Sequence, residues 1–233
     1  MKATPLRRFG YWLFGVLFRL VLKLEVVGRE YIPPTGPLIA ACNHATFLDP
    51  FMIDGQMGRP MVFFAKQEVM AMPLFGFLAR YYMVIPVARG EADMNALKAA
   101  LRVLREGYAL YVAPEGTRSK SGALQQGKLG AVVMAQRTHA AVVPCGIWGQ
   151  KALIPNLKRL RRTPVRVQFG PAFRFVGPTK PSKEEHQAMT DEMMYRIAAL
   201  LPAEQRGVYA GPPPAFQYTV NLDAVQPATP VVS

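Results

Sequence analysis

Seven short β-rich runs alternate with helical patterns through the middle of this chain, and that alternation restricts the fold more than any other feature. The runs are Leu24–Gly28, Pro37–Cys42, Met61–Ala65, Met83–Val87, Tyr108–Ala113, Ala141–Ile147 and Val165–Phe169. Helical patterns fall at Pro50–Gln56, Asn95–Arg105, Lys128–Arg137 and Lys183–Leu201. Strands interleaved with helices predict an α/β fold, with a single mixed β-sheet flanked by helices. The 233 residues show no internal repeat and no linker, so they read as one domain over 28–207 between an N-terminal segment, 1–27, and a proline-rich tail, 208–233. From Gly211 onward proline is too dense for helix or interior strand, and a loosely ordered tail is expected.

The N-terminal segment is apolar but interrupted. A membrane-spanning helix needs about 20 apolar residues in a row, and here Arg19 and Lys23 break the run that starts at Phe9. No small-x-small cleavage site follows, as a secretory signal would require. On a helix, Arg8, Trp12, Gly15, Arg19 and Lys23 fall within about an 80° sector, on an otherwise apolar body. This predicts an amphipathic helix, suited either to packing on a core or, as its basic stripe and aromatics favour, to lying on an anionic membrane surface.

Charge points the same way. Twenty-eight Lys and Arg against fifteen Asp and Glu give a net charge of +13, which predicts an anionic partner. Lys151, Lys158, Arg159, Arg161, Arg162 and Arg166 form a second basic stretch without an acid. No helix-turn-helix, zinc module or aromatic-studded sheet motif accompanies it, so nucleic acid is not the expected partner. Two cysteines, Cys42 and Cys145, are too few for a disulfide scaffold, and no His-Glu-x-x-His or clustered Cys/His spacing offers a metal site.

In α/β folds reactive groups sit just beyond the carboxyl ends of strands, and two such loops are rich in functional groups. The first is Asn43-His44-Ala45-Thr46-Phe47-Leu48-Asp49-Pro50. Asp followed by Pro starts a helix, with Asp49 expected as its N-cap. His44 then lies in the turn before that helix, which can curl the imidazole back toward Asp49. A carboxylate on one ring nitrogen fixes the tautomer and leaves the other as a general base. The second loop, Pro114-Glu115-Gly116-Thr117-Arg118-Ser119, offers donors for an oxyanion or phosphate. Cys42 lies two residues before His44, so a covalent cysteine route is a competing chemistry. His139 and His186 read as structural or solvated.

Taken together these loops resemble the glycerophospholipid acyltransferases, a family with four motif blocks in fixed order. Asn43-His44 through Asp49 is similar to the catalytic His-x4-Asp block. Ile85-Pro86-Val87-Ala88-Arg89-Gly90 resembles the second, which ends in a phosphate-binding arginine, although Ala88 stands where that block is often acidic. Pro114 through Ser119 matches the third block residue for residue, and Val143-Pro144-Cys145-Gly146-Ile147 resembles the fourth, which lines the acyl site. The resemblance runs from about Gly28 to Gly170 and takes in Lys66 and the Gly127-Lys128-Leu129-Gly130 segment.

The resemblance implies acyl transfer from a thioester to the sn-2 hydroxyl of lysophosphatidate, giving phosphatidate. His44 would act as base, Asp49 would orient it, and Lys66 or loop amides would steady the oxyanion. Arg89, Glu115, Gly116, Thr117 and Arg118 would bind the acceptor and Pro144 would line the acyl site. The implied donor is acyl-coenzyme A or acyl carrier protein, used as a substrate with no cofactor or metal. The implied place is the cytoplasmic face of the cell membrane, as a peripheral or monotopic protein. Two alternatives stay open on the sequence: a different acceptor, glycerol 3-phosphate or another lysophospholipid, and a non-catalytic lipid-binding module.

Overall fold

Leu38-Ile39-Ala40-Ala41-Cys42 carries no polar side chain on either face, and it forms a strand buried along its whole length. Leu38, Ala40 and Cys42 enter one apolar layer, and Ile39 and Ala41 enter the other, as the two-residue period of a strand dictates. The computed structural model describes residues 15–70, 82–87 and 93–222. Its strands are β1 (Leu22–Val27), β2 (Leu38–Cys42), β3 (Met61–Lys66), β4 (Met83–Val87) and β5 (Ala109–Val112). They continue with β6 (Ala141–Trp148), β7 (Thr163–Phe169), β8 (Phe173–Phe175) and β9 (Thr219–Asn221). All belong to one sheet, in the order β1-β7-β6-β2-β5-β3-β4, with β8 on the edge of β6 and β9 on β8.

Five strands, β6-β2-β5-β3-β4, run parallel, while β7 is antiparallel to β6 and carries β1 parallel to itself. The sheet is therefore mixed, as expected. Helix α1 is described over residues 15–21; α2 (Asp49–Asp54) and α3 (Gln67–Met70) follow β2 and β3. Next come α4 (Met94–Arg105), α5 (Gly130–Thr138), α6 (Leu153–Lys158) and α7 (Lys183–Ala198). Apolar residues of α4, α5 and α7 pack on one face of the sheet, and those of α2 on the other. Capping sets the helix starts. Asp93 accepts from the Asn95 and Ala96 amides at the head of α4, and Ser182 and Glu185 form a reciprocal capping box on α7.

Three expectations need correction. The first strand begins at Leu22, within the stretch read as amphipathic helix, because Leu22 is buried and pairs with Thr163. The part of that helix over residues 1–14 lies outside the described residues. Asp49 is the first residue of α2 rather than its N-cap, and the capping position falls on Leu48. The tail is not loose as far as Leu222: Thr219–Asn221 pairs with Phe173–Phe175.

A buried carboxylate fastens that tail. Glu192 of α7 accepts from the Gln217 amide (2.6 Å), the Tyr218 amide (2.9 Å) and the Thr219 hydroxyl (2.8 Å). Arg196, one turn on, donates to Thr219 Oγ1 and Asn221 Oδ1 and lies over the Phe173 and Phe216 rings. Replacing Glu192 with Ala is expected to cost about 1–3 kcal/mol of stability, as lost bonds to a charged acceptor do, read from urea midpoints. In a chain ending at residue 210 the same substitution should cost far less; an equal cost there shows that Glu192 serves something other than the tail.

Candidate active site

All five parallel strands deliver their carboxyl ends to one edge of the sheet. There β2 runs into Asn43-His44, β5 into Pro114-Glu115, β3 ends at Lys66, β4 at Val87, and β6 leads to Gly149-Gln150. Past Cys42 the β2 backbone leaves the ladder, and a side chain replaces it. Asn43 Oδ1 accepts from the Ile147 amide at 2.8 Å, and its Nδ2 donates to the Ile147 carbonyl at 2.9 Å. This amide pair continues the β2–β6 pairing for one more step and fixes where the chain turns.

His44 is then clamped by its own backbone. Its amide donates to Glu115 Oε1 at 3.0 Å and its carbonyl accepts from the Ser119 amide at 2.8 Å. Both partners come from the loop after β5. Glu115 is only 2% exposed, and its second oxygen accepts from the Gln125 amide. Burial raises its carboxyl above the usual range, against the pull of the donors from Gln125 and His44. The carboxylate expected to face an acceptor faces inward and holds two loops together. Between its two contacts with His44, the Glu115–Ser119 turn exposes Gly116, Thr117 and Arg118. Gly116 has φ +69°, a left-handed backbone that strains any residue with a side chain, so the turn favours glycine at that position.

The imidazole curls back as the spacing suggests. His44 Nδ1 lies 3.0 Å from Asp49 Oδ2. The same oxygen accepts from the Ala45 and Thr46 amides at 2.7 and 2.8 Å, while Oδ1 accepts from the Thr46 hydroxyl and, at 3.3 Å, from Gln150 Nε2. Because the carboxylate oxygen accepts, the neutral ring carries its hydrogen on Nδ1 and keeps a lone pair on Nε2. The His44 side chain is 20% exposed whereas Asp49 is fully buried, so one edge of the ring is open to an incoming molecule. Tyr111 of β5 meets the ring edge-on, with centroids 6.3 Å apart.

Cys42 does not share that exposure. It is fully buried beside Cys145, its partner across β2 and β6. Burial first, and then its neighbour Cys145, push its thiol well above the usual range. A thiolate nucleophile is disfavoured there, which removes the covalent route.

The other expected residues are dispersed around this centre. Lys66 is exposed at the end of β3. Pro144 is buried within β6, opposite Ala41, and a Cβ on Gly170 would lie 3.1 Å from it; it sits in the sheet rather than on an open groove. Arg89 lies outside the described residues. His139 caps the far end of α5 and His186 Nδ1 contacts the Ser182 carbonyl, both away from His44. Among the described residues no three His, Cys, Asp or Glu side chains converge as a metal site requires.

Gln150 is the residue the sequence reading missed. It is buried, and its amide donates to Asp49 Oδ1 and to the Ile147 carbonyl, each at 3.3 Å. Gly149 aims it: φ is +91°, and a Cβ would stand 2.3 Å from the Pro164 carbonyl. A glycine closing a β-run beside an uncharged polar residue is the only local signal, and it names no partner a hundred residues upstream.

Comparison with known proteins identifies the family. Residues 23–148 match the Acyltransferase family model. A chloroplastic 1-acyl-sn-glycerol-3-phosphate acyltransferase of Arabidopsis thaliana is 31% identical over 137 residues, 58% of this chain and 38% of that protein. The 1-acyl-sn-glycerol-3-phosphate acyltransferase of Borreliella burgdorferi is 29% identical over 143 residues, 60% of this chain and 55% of the relative. The matches thus span about half or less of these relatives' lengths. The crystal structure of the 1-acyl-sn-glycerophosphate acyltransferase of Thermotoga maritima superposes with a TM-score of 0.63 at 27% identity, covering 83% of this chain and 79% of that one. By its clamped His44–Asp49 pair and by a family match over more than half its length, this chain belongs to the acyltransferase family.

Proposed function

We propose that this protein transfers a fatty acyl group from an acyl thioester to the sn-2 hydroxyl of lysophosphatidate, giving phosphatidate in phospholipid biosynthesis. The observation that carries the reading is the 3.0 Å contact between His44 Nδ1 and Asp49, beside a turn that exposes Thr117 and Arg118 and is tied to the His44 backbone. The relatives' names support the acceptor.

The chemistry follows from the groups. His44 Nε2 takes the hydroxyl proton while the hydroxyl oxygen attacks the thioester carbonyl carbon, forming the new C–O bond. Asp49 stabilises the imidazolium that results. The tetrahedral oxyanion is steadied by loop amides and by Lys66. It collapses with cleavage of the C–S bond, and the leaving thiolate takes the proton back from Nε2. Arg118 and Arg89 bind the acceptor's phosphate, for which a guanidinium's paired donors are suited. The donor is a thioester of coenzyme A or of acyl carrier protein, and the protein needs no cofactor of its own. It works at the cytoplasmic face of the cell membrane, held there by its basic N-terminal segment.

Release of free thiol from acyl-coenzyme A in the presence of lysophosphatidate tests this directly. Thiol release with glycerol 3-phosphate alone redirects the acceptor, and vesicle binding with no release under any acceptor makes the protein a binding module. His44→Gln should lower turnover by about 10²–10⁴ or more in a chain that still folds, since both backbone contacts of His44 remain and only one of the donors to Asp49 is lost. Gln150→Leu should lower kcat by about ten- to a hundredfold with an unchanged KM, because misplacing a catalytic pair costs rate rather than substrate affinity; a raised KM alone contradicts it. Arg89→Ala should mainly raise the acceptor's KM, and collapsed turnover at constant KM would reassign Arg89 to the chemistry.

A further inference from the structure

The segment around and after Gln150 sets cations beside exposed aliphatic side chains. Residues 149–165 contain five Lys and Arg and no Asp or Glu. Among those cations three large aliphatic side chains stand in water: Ile154 is 67% exposed, Leu157 52% and Leu160 95%. Ile154 and Leu157 lie one turn apart on α6, while Leu153 of the same helix packs toward the core. Leu160 is the least expected of the three. Its backbone is left-handed, with φ 54°, a conformation that suits glycine or asparagine, and its side chain gains nothing from the fold.

The turn is nevertheless firmly made. The Asn156 carbonyl accepts from the Arg159 and Arg161 amides at 2.9 Å, and its side chain donates to Thr163 Oγ1 at 3.2 Å. Arg162 turns back and donates through Nε and Nη2 to the Leu22 carbonyl, at 3.1 and 2.6 Å. That bond joins the turn to the point where α1 enters β1, and on α1 Leu17 and Leu20 are also exposed. The strand pairing puts all of this at the carboxyl end of β6, the same end as His44: Trp148 pairs with Arg166 and Leu22 with Thr163.

We propose that the α6–β7 turn is a membrane-docking element, with Ile154, Leu157 and Leu160 entering the boundary of an anionic bilayer and Lys158, Arg159 and Arg161 meeting lipid phosphates. The mixture of groups selects this partner. Nucleic acid would satisfy the cations and leave three aliphatic side chains in water. A second copy of this chain would bring the same positive face against itself. An anionic bilayer offers phosphates and hydrocarbon a few ångströms apart, and docking there turns the open edge of His44 toward lipid. The proposal rests on this surface alone and stands whether or not the acyl-transfer reading holds.

A labelled full-length chain tests it. Cys42 and Cys145 are both fully buried, so in Leu160→Cys an environment-sensitive thiol dye reports residue 160. Lys180→Cys, by the cleft at the opposite end of the sheet, is the control. With vesicles of phosphatidylcholine and phosphatidylglycerol, the dye at 160 should shift to the blue and be quenched by a lipid-borne quencher, while the dye at 180 should do neither. The chain with Ile154→Asp, Leu157→Asp and Leu160→Asp together should partition onto those vesicles at least tenfold more weakly, with unchanged melting temperature and unchanged turnover of detergent-dispersed substrate. An unquenched dye at 160 on a chain that floats with the vesicles overturns the proposal, as do wild-type partitioning of the triple variant and absence of vesicle binding. A dye shift that follows protein concentration without vesicles assigns the surface to a second copy and also overturns it.

Discussion

Beneath the histidine, the Asp49 carboxylate collects five donors: His44 Nδ1, the Ala45 and Thr46 amides, the Thr46 hydroxyl and Gln150 Nε2. Four come from the turn that carries His44 and the fifth from the strand end across the sheet. A buried acceptor met from both sides leaves little freedom to rotate, and losing any one donor exposes it to an uncompensated penalty. The tautomer of His44, the shape of its turn and the entry of the chain into α2 all follow from this group. The same reasoning explains why Thr46 and Gln150, neither of them a proton-transfer group, belong to the site.

Around that centre the sheet does the positioning. A parallel block must deliver its strand ends to one edge, so residues far apart in sequence meet there without long connections. Asn43 extends the β2–β6 ladder with its side chain, and Glu115 with Ser119 brackets the His44 backbone from β5. Those contacts hold the backbone of the base rather than its ring. The ring is therefore fixed twice, through the chain by β5 and β6 and through Nδ1 by Asp49, while the Thr117-Arg118 tip between the clamps stays open to a ligand.

The alternation of strand and helix was enough to read the mixed sheet and nearly every long element, since both periodicities are strong in this chain. The five-residue step from His44 to Asp49 was readable too, because a turn is the only way to bring those side chains together. Less accessible were contacts whose partners lie far away. Glu115 reads from sequence as an outward ligand, and only the position of the His44 and Gln125 amides shows it to be an inward clamp. Gln150 reaches Asp49 across 101 positions. Proline density concealed β9, whose lead-in bonds to Glu192, a carboxylate buried in a helix whose sequence gives no reason to bury it. Asp49 was misplaced as a helix cap for a related reason: its side chain serves the amides of the turn before it rather than those of the helix after it.

The tautomer of His44 tests the account most directly. In nitrogen-15 NMR of histidine-labelled protein, three imidazoles are to be resolved, and His44→Gln identifies the one that vanishes. In its neutral form that ring should carry its hydrogen on Nδ1 and leave Nε2 bare, the reverse of the tautomer that free neutral imidazole side chains prefer. A hydrogen on Nε2 instead would mean that Asp49 does not hold the ring, and the reading of His44 as a base would fall with it.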